Sequence, residues 1–175
     1  RSLVIVGGGV IGMEFAAFFQ TLGVEVTVVE MMDEILGGMD RELSGLLRAE
    51  YTKRGIKFLL HTKVTGVSQT PEGITVTYEQ DGTEGTVCGE KLLMRVGRRP
   101  VLNGFGLENL NLELTERRNV KVDEHLQTSV PGVYVCGDLN GVSLLAHTAV
   151  REAEVAVNHI LGRNDAMSYR AIPGV

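Results

Sequence analysis

The stretch Leu3-Val4-Ile5-Val6-Gly7-Gly8-Gly9-Val10-Ile11-Gly12 decides the fold of this 175-residue chain. Its four leading apolar residues are typical of a strand that is buried on both faces of a parallel sheet. From Val10 to Leu22 apolar residues recur every three or four positions, which predicts a helix closed by Gly23. A second apolar run, Val24–Val29, completes a β-α-β unit, and such units place their two strands side by side in a parallel sheet.

Gly7, Gly9 and Gly12 form a GxGxxG motif between the first strand and the first helix. The motif alone is weak, so its meaning depends on the strand before it, the helix after it and an acidic residue that ends the second strand. Gly7 permits a tight turn, Gly9 leaves room for a pyrophosphate against the backbone, and Gly12 lets the helix lie close to the strand. Unpaired N–H groups at the helix start favour an anion. The motif therefore predicts a dinucleotide site, with a purely structural turn as the alternative.

Glu30, at the end of the second strand, indicates which dinucleotide fits. A carboxylate at this position can accept both hydrogen bonds of an adenosine ribose diol, and it repels a 2′-phosphate. Met31 and Met32 follow, where an NADP site would have arginines. The pattern favours the adenosine of NAD or FAD over that of NADP. The alternative is a surface glutamate at the end of a strand.

Glu14 is the one charged residue near the start of the first helix. It lies two residues beyond Gly12, which predicts a place inside the first turn, among apolar neighbours. Two interpretations are open. The carboxylate either complements the helix dipole and points to water, or it reaches the reactive end of the cofactor.

The rest of the first hundred residues predicts a second helix, more strands and a hairpin. Asp40 is a good N-cap for a helix over Arg41–Arg54, and Gln80-Asp81-Gly82-Thr83 is a hairpin signal. The predicted strands are Ile56–Leu60, Val64–Val67, Ile74–Tyr78, Thr86–Cys88 and Lys91–Val96. We therefore predict an α/β fold for residues 1–100, a Rossmann-type three-layer domain with a small antiparallel β appendage.

Residues 101–175 have a looser pattern. Short strands are predicted at Val120–Val122 and Gly132–Cys136, followed by a helix that Ser143 caps and that ends near Leu161. The second of these strands delivers Asp138 to its end. An aspartate in this place is either a turn residue or part of a second site.

Composition limits the function classes. With 43% hydrophobic and 22% charged residues and a formal net charge of −5, the chain is unsuited to nucleic acid or to an anionic membrane surface. No apolar run approaches the ~20 residues of a membrane span, and we expect a cytoplasmic protein. Cys88 and Cys136 form no paired motif and are expected to be small buried residues. No metal site is predicted, because no histidines have the spacing of ligands.

Several short motifs follow one another along the chain. They are Gly-Gly-Gly-Val-Ile-Gly-Met-Glu (7–14), Val-Val-Glu (28–30), Thr-Lys-Val-Thr-Gly (62–66), Val-Gly-Arg-Arg-Pro (96–100), Val-Tyr-Val-Cys-Gly-Asp (133–138) and Leu-Ala-His (145–147). Through them the sequence resembles the flavin-dependent pyridine nucleotide-disulfide oxidoreductases over nearly its whole length. The resemblance implies an NAD domain over residues 1–100, followed in residues 101–175 by part of an FAD domain, a central segment that completes the FAD site.

The resemblance also implies roles for single residues. NAD would be held by Gly7, Gly9, Val10, Ile11, Gly12 and Glu30, with Val64 near the adenine and Gly97 near the nicotinamide half. Glu14 would be the catalytic residue beside the nicotinamide, where hydride passes between flavin and NAD. FAD would be held by Gly137, Asp138, Leu144, Leu145, Ala146 and His147.

The chain departs from the family pattern in what it lacks. It has no preceding FAD-binding half, no Cys-xxxx-Cys dithiol and no dimerisation domain with a His-Glu pair. We therefore expect a fragment of a homodimeric enzyme, inactive alone, whose partners are NAD and the missing domains. Three functions stay open: NAD-dependent oxidation of a dithiol, another reductase or NADH oxidase of the same superfamily, or a stand-alone NAD-binding module.

Overall fold

The computed structural model describes residues 1–174. They form two compact units, of which the first is Arg1–Gly97 and the second begins at Arg98. The elements of the first unit are β1 (Ser2–Val6), α1 (Val10–Thr21), β2 (Glu25–Val29), α2 (Arg41–Lys53), β3 (Lys57–Leu59), β4 (Thr62–Thr70), β5 (Gly73–Gln80), β6 (Thr83–Gly89) and β7 (Lys91–Met94). The second unit contains α3 (Ala146–Ile160) and two short 3-10 turns, Leu107–Leu110 and Gly137–Leu139.

Four parallel strands form the central sheet of the first unit, in the order β3-β2-β1-β7. The strand β1 lies inside this sheet, and its Val4 and Ile5 are 1% and 0% exposed. A continuous apolar strand suits this place because it has no face in contact with water. The prediction of a doubly buried first strand and of a β-α-β unit is confirmed.

The two faces of the parallel sheet are covered by different layers. Ile5 and Val28 point to the face where α1 and α2 contribute Met13 and Leu47. The opposite face packs against an antiparallel sheet of order β4-β5-β6, whose Val76 is fully buried. Helices, parallel sheet and antiparallel sheet make three layers. This confirms the predicted α/β fold and its β appendage.

The antiparallel sheet is a three-stranded meander with longer strands than its sequence predicted. The turn between β5 and β6 is Asp81-Gly82, with φ of 50° and 78°, as a two-residue hairpin turn requires. The strand β4 pairs with β5 from Thr62 to Thr70, beyond the apolar core of the predicted strand. Backbone pairing continues there because one face of this sheet is open to solvent and accepts polar side chains.

The second unit corrects two predictions about secondary structure. The stretches at 120–122 and 132–136 are not strands, and only isolated bridges join Leu114 to Val120 and Gln127 to Tyr134. Several of their N–H groups donate to loop carbonyls instead, as when Val120 donates to the Leu139 carbonyl. The helix α3 begins at Ala146, so Ser143 is not its cap.

Both cysteines are exposed, which corrects the expectation that they are buried. Cys88 lies on the edge strand β6, where alternation turns Val87 toward the core and Cys88 toward water. Cys136 directly precedes the 3-10 turn at Gly137–Leu139. Of the helices within residues 1–174, none combines the length and the apolar character needed to cross a membrane.

Candidate dinucleotide site

An open cleft of about 500 Å³ lies at the carboxyl edge of the parallel sheet. The strands β1, β2 and β7 all end at this edge, which is where open α/β sheets bind their ligands. The cleft is lined by Val6, Gly7, Gly9, Val29, Glu30, Met31, Thr62, Lys63, Val64, Met94, Arg95 and Val96. Four predicted residues, Gly7, Gly9, Glu30 and Val64, are thereby brought together.

The three glycines of the motif have three different environments. Gly7 has a φ of 108°, and a Cβ there would collide with the Arg95 carbonyl oxygen. A Cβ on Gly12 would collide with the Gly7 carbonyl oxygen, so the helix could not lie as close to the turn. A Cβ on Gly9 would meet no protein atom within 4 Å. Gly9 thus borders open space, and the bare backbone there fits a diphosphate group.

The first turn of α1 presents free backbone donors. Its N-cap is Gly9, and no side chain accepts a hydrogen bond at this end of the helix. The N–H groups of Val10, Ile11 and Gly12 have no partner within the helix, because the first turn of any helix lacks them. These donors and the positive end of the helix dipole suit an anion, and the residues present fit the phosphates of a dinucleotide.

The Glu30 carboxylate is already oriented by two backbone donors. Its Oε2 accepts from the Gly8 N–H at 2.5 Å, and its Oε1 accepts from the Met32 N–H at 2.8 Å. An ionised carboxylate can accept about four hydrogen bonds, so capacity remains for the two hydroxyls of a ribose. Met31 and Met32 are exposed beside it, and neither provides a cation for a 2′-phosphate.

Glu14 and Gly97 do not line the cleft as it stands. Because α1 begins at Val10, Glu14 lies in the second turn and not in the first, which corrects the predicted place. Its side chain is exposed, in agreement with the interpretation that it points to water. Gly97 is exposed with a φ of 122° and directly follows Val96, which belongs to the lining.

Sequence reasoning missed three polar residues of the cleft: Thr62, Lys63 and Arg95. Lys63 precedes Val64 on β4, and Arg95 follows β7, where its N–H donates to the Val6 carbonyl at 2.7 Å. The Nε atom of Arg95 is buried without a hydrogen-bond partner among the described residues. The available signal was the position of Arg95 at the end of a predicted buried strand, since ligands bind at such ends.

The second unit contains the other set of predicted residues. The 3-10 turn Gly137–Leu139 presents Asp138 to solvent, and its carboxylate lies 3.7 Å from a guanidinium nitrogen of Arg98. The Gly137 N–H donates to Oε2 of Glu152 at 2.5 Å. Glu152 is fully buried on α3 and was not predicted as a site residue.

The start of α3 resembles the start of α1 in having no side-chain cap. Its N-cap is Leu145, and Leu144, Ala146 and His147 are exposed. The His147 Nε2 atom lies 2.9 Å from the Pro173 carbonyl oxygen. Free N–H groups at an exposed helix start suit the electron-rich edge of a flavin, so these residues fit the predicted FAD segment.

Tyr169 completes the surroundings of Glu152. Its hydroxyl donates to Glu152 Oε1 at 2.7 Å, so both oxygens of this buried carboxylate have a donor. Burial and then the hydrogen bond to Glu152 raise the pKa of Tyr169 well above its ordinary value, and the Asn140 side chain acts in the opposite direction. Within residues 1–174 no group of three or more histidine, cysteine, aspartate or glutamate side chains is arranged to hold a metal ion.

Comparisons with known proteins agree with the sequence resemblance. The profile of the family described as pyridine nucleotide-disulphide oxidoreductase matches residues 1–153. The dihydrolipoyl dehydrogenase of Acholeplasma laidlawii is 47% identical over 161 residues, which cover 92% of this chain and 46% of the relative. The mitochondrial dihydrolipoyl dehydrogenase of Caenorhabditis elegans is 41% identical over 100% of this chain and 36% of its own length.

Solved structures show the same similarity. LpdA from Mycobacterium tuberculosis matches with a TM-score of 0.86 and 33% identity, over 97% of this chain and 36% of that one. The HOCl-induced flavoprotein disulfide reductase RclA from Escherichia coli matches with a TM-score of 0.82 and 25% identity, over 93% and 37%. The chain therefore spans less than half the length of each of these proteins.

Proposed function

Since the chain belongs to the pyridine nucleotide-disulphide oxidoreductases, we propose that it supplies the NAD-binding part of an FAD-dependent dithiol/disulfide oxidoreductase, most like dihydrolipoamide (dihydrolipoyl) dehydrogenase. The observation that carries the proposal is the cleft in which the glycine-rich turn and the Glu30 carboxylate face the same space. A diphosphate and a ribose are joined in a dinucleotide, and these two features suit those two groups.

Each residue predicted to bind NAD has a task in this proposal. The N–H groups of the turn, from Gly9 to Gly12, bind the diphosphate, and Glu30 binds the adenosine ribose. Val64 contacts the adenine, while Gly97 and Glu14 lie toward the nicotinamide half. When bound, NAD and FAD supply the hydride acceptor and the two-electron carrier of the reaction.

The second unit supports the flavin in the same proposal. Gly137 and Asp138 bind the ribityl hydroxyls, and backbone groups of Leu144, Leu145, Ala146 and His147 contact the flavin edge. The positive end of the α3 dipole stabilises negative charge there. Because the redox dithiol and the His-Glu pair are absent from the sequence, these 175 residues alone are expected not to turn over a disulfide.

A second candidate is another disulfide reductase of the family, and the structural likeness to RclA favours it. The two candidates share the dinucleotide cleft and differ in the substrate dithiol. A longer enzyme that contains residues 1–174 and oxidises dihydrolipoamide with NAD supports the first candidate. Failure to use dihydrolipoamide, together with NADH-dependent reduction of another disulfide, supports the second.

The dinucleotide site is tested by filling the space at Gly9. The substitution Gly9→Leu is expected to leave the fold intact because a Cβ there would meet no protein atom within 4 Å, while the leucine side chain would occupy the place of the diphosphate. NADH binding, measured by fluorescence titration of the chain, is expected for the native sequence and lost in Gly9→Leu.

Gly174→Leu is the matched control, since a Cβ on Gly174 would also meet no protein atom within 4 Å and Gly174 lies outside the cleft lining. It should bind NADH like the native chain. Equal NADH affinity of Gly9→Leu and the native sequence contradicts the proposed site.

A further inference from the structure

An ion pair outside the cleft is connected to the glycine-rich turn. We propose that Glu34 and Arg48 are positioning residues for the adenosine end of the dinucleotide site, an inference that rests on the proposed function. They act through the β2–α2 loop, which we define as residues 31–40. Neither residue lines the cleft, so any effect on ligand binding passes through the loop.

The geometry of the pair separates it from the other ion pairs of α2. Arg48 Nε lies 2.7 Å from Glu34 Oε1, and its NH2 nitrogen lies 2.9 Å from Oε2, a bidentate arrangement. The Glu34 side chain is only 13% exposed. By contrast, the pairs Arg54–Glu50 and Arg41–Asp33 are single contacts between side chains that are about half exposed or more. A bidentate pair shielded from water holds its two side chains in one orientation, whereas an exposed ion pair contributes little to the stability of the fold.

The residues that follow Glu34 pack onto the glycine-rich turn. Ile35 is 1% exposed and belongs to the main core, and a Cβ on Gly8 would lie only 3.2 Å from its Cγ2 atom. The Leu36 N–H donates to the Gly8 carbonyl at 2.8 Å. Leu36 has a φ of 56°, a left-handed conformation that is unfavourable for a residue with a side chain. Such a conformation persists only where surrounding contacts impose it, and the Glu34–Arg48 pair is one of them.

Gly8 connects the loop to the ribose-binding carboxylate. Its carbonyl accepts from Leu36 on one side, and its N–H donates to Glu30 Oε2 on the other. The contacts thus run from Arg48 through Glu34 and Leu36 to the Gly8 peptide and to Glu30. Loss of the ion pair removes one of the contacts that hold the loop, and the Gly8 peptide then holds the Glu30 carboxylate less firmly. The effect belongs to the adenosine end, because no contact of this series reaches Val96 or Gly97.

The experiment measures three probes on the same chain: NADH, ADP-ribose, which lacks the nicotinamide, and nicotinamide mononucleotide, which lacks the adenosine. In Arg48→Met the dissociation constants of NADH and ADP-ribose should rise about tenfold, a change equivalent to about 1.4 kcal/mol. That of nicotinamide mononucleotide should not change. Arg48→Lys should give a smaller rise, because lysine keeps the charge but not the bidentate contact.

Rescue and control variants make the test specific. The double variant Glu34→Arg/Arg48→Glu should restore ADP-ribose binding, and Arg54→Met should leave all three probes unaffected. Without ligand, amide exchange at Leu36 should be faster in Arg48→Met than in the native chain, which reports release of the loop directly.

Two results overturn the inference while leaving the proposed function intact. One is an unchanged ADP-ribose affinity in Arg48→Met, and the other is equal weakening of all three probes. If the native chain binds neither NADH nor ADP-ribose, the proposed function itself fails, and the inference fails with it.

Discussion

Removal of the Glu30 charge should change which dinucleotide the chain prefers. A 2′-phosphate takes the place of a ribose hydroxyl, so in NADPH it would lie in direct contact with the Glu30 carboxylate. Two like charges about 4 Å apart repel by about 4 kcal/mol at an effective dielectric constant near 20. At about 1.4 kcal/mol for each factor of ten, this repulsion gives a preference for NADH of nearly a thousandfold.

In Glu30→Gln the repulsion is absent and one good acceptor for the ribose diol is lost. NADH affinity should therefore fall by about tenfold, as expected for one hydrogen bond to a charged group. NADPH affinity should rise by up to nearly a thousandfold, so the preference for NADH should be lost. Lys63 lies in the same cleft, and its charge adds to the gain for NADPH once Glu30 is neutral.

The assay is calorimetric titration of both dinucleotides at low ionic strength, because salt screens an exposed site. Thermal unfolding must be measured in parallel. The Glu30 carboxylate accepts from the N–H groups of both Gly8 and Met32, one through each oxygen. A glutamine has one carbonyl oxygen and can keep only one of these hydrogen bonds in the same way, so Glu30→Gln is expected to unfold at a lower temperature.

Glu25→Gln is the matched control, since Glu25 is an exposed glutamate at the opposite end of β2. It should leave both affinities unchanged. The reasoning is refuted if the native chain binds NADH and NADPH equally, or if the preference of Glu30→Gln equals that of the native chain.

Two further predictions concern stability. Gly12→Ala should lower the free energy of unfolding by about 1–3 kcal/mol, because its Cβ would collide with the Gly7 carbonyl oxygen. In Gly45→Ala on α2 the new Cβ would make only an ordinary contact, 3.8 Å from Glu34 Oε2, so denaturant unfolding should show a gain of about 0.5–1 kcal/mol. Equal effects of the two substitutions would contradict the close approach at Gly12. The hydrogen bond from Arg48 lowers the pKa of Glu34, so its stabilisation is present above the ordinary value of 4.5 and is lost as the pH falls through the lower folded value. The difference in unfolding free energy between native and Arg48→Met should accordingly shrink in acid, and a difference independent of pH would contradict the pairing.

The part of the site that the sequence predicted is local. Gly7, Gly9 and Gly12 lie within six residues of one another, and their roles depend on backbone conformation and on the first turn of one helix. Glu30 was predictable because it ends the strand that follows this helix, and a β-α-β unit places the ends of its two strands side by side. Val64 and Gly97 were named only through the family resemblance, whereas Glu14 was a candidate from its position in the first helix and received its place beside the nicotinamide through that resemblance.

Residues that act through contacts between distant segments were not predictable. Lys63 and Arg95 reach the cleft because β4 begins and β7 ends beside the glycine-rich turn. Glu152 was missed because a glutamate in a helix usually faces water, and only the packing of α3 against the Gly137 turn buries it. The prediction that the two cysteines are buried was wrong for a related reason. Their exposure depends on which face of a local element they occupy, and the sequence alone does not determine that face.

The order of residues alone was sufficient for the first strand, the turn, the first helix and the acidic end of the second strand, because steric limits on the backbone and periodic burial act over a few residues. The order of residues was not sufficient to predict the lining of the cleft or the hydrogen bond from the Leu36 N–H in the β2–α2 loop to the Gly8 carbonyl. Those depend on which strands become neighbours and in which register, and the tertiary structure decided this through burial of Val4, Ile5 and Val76 in two separate cores.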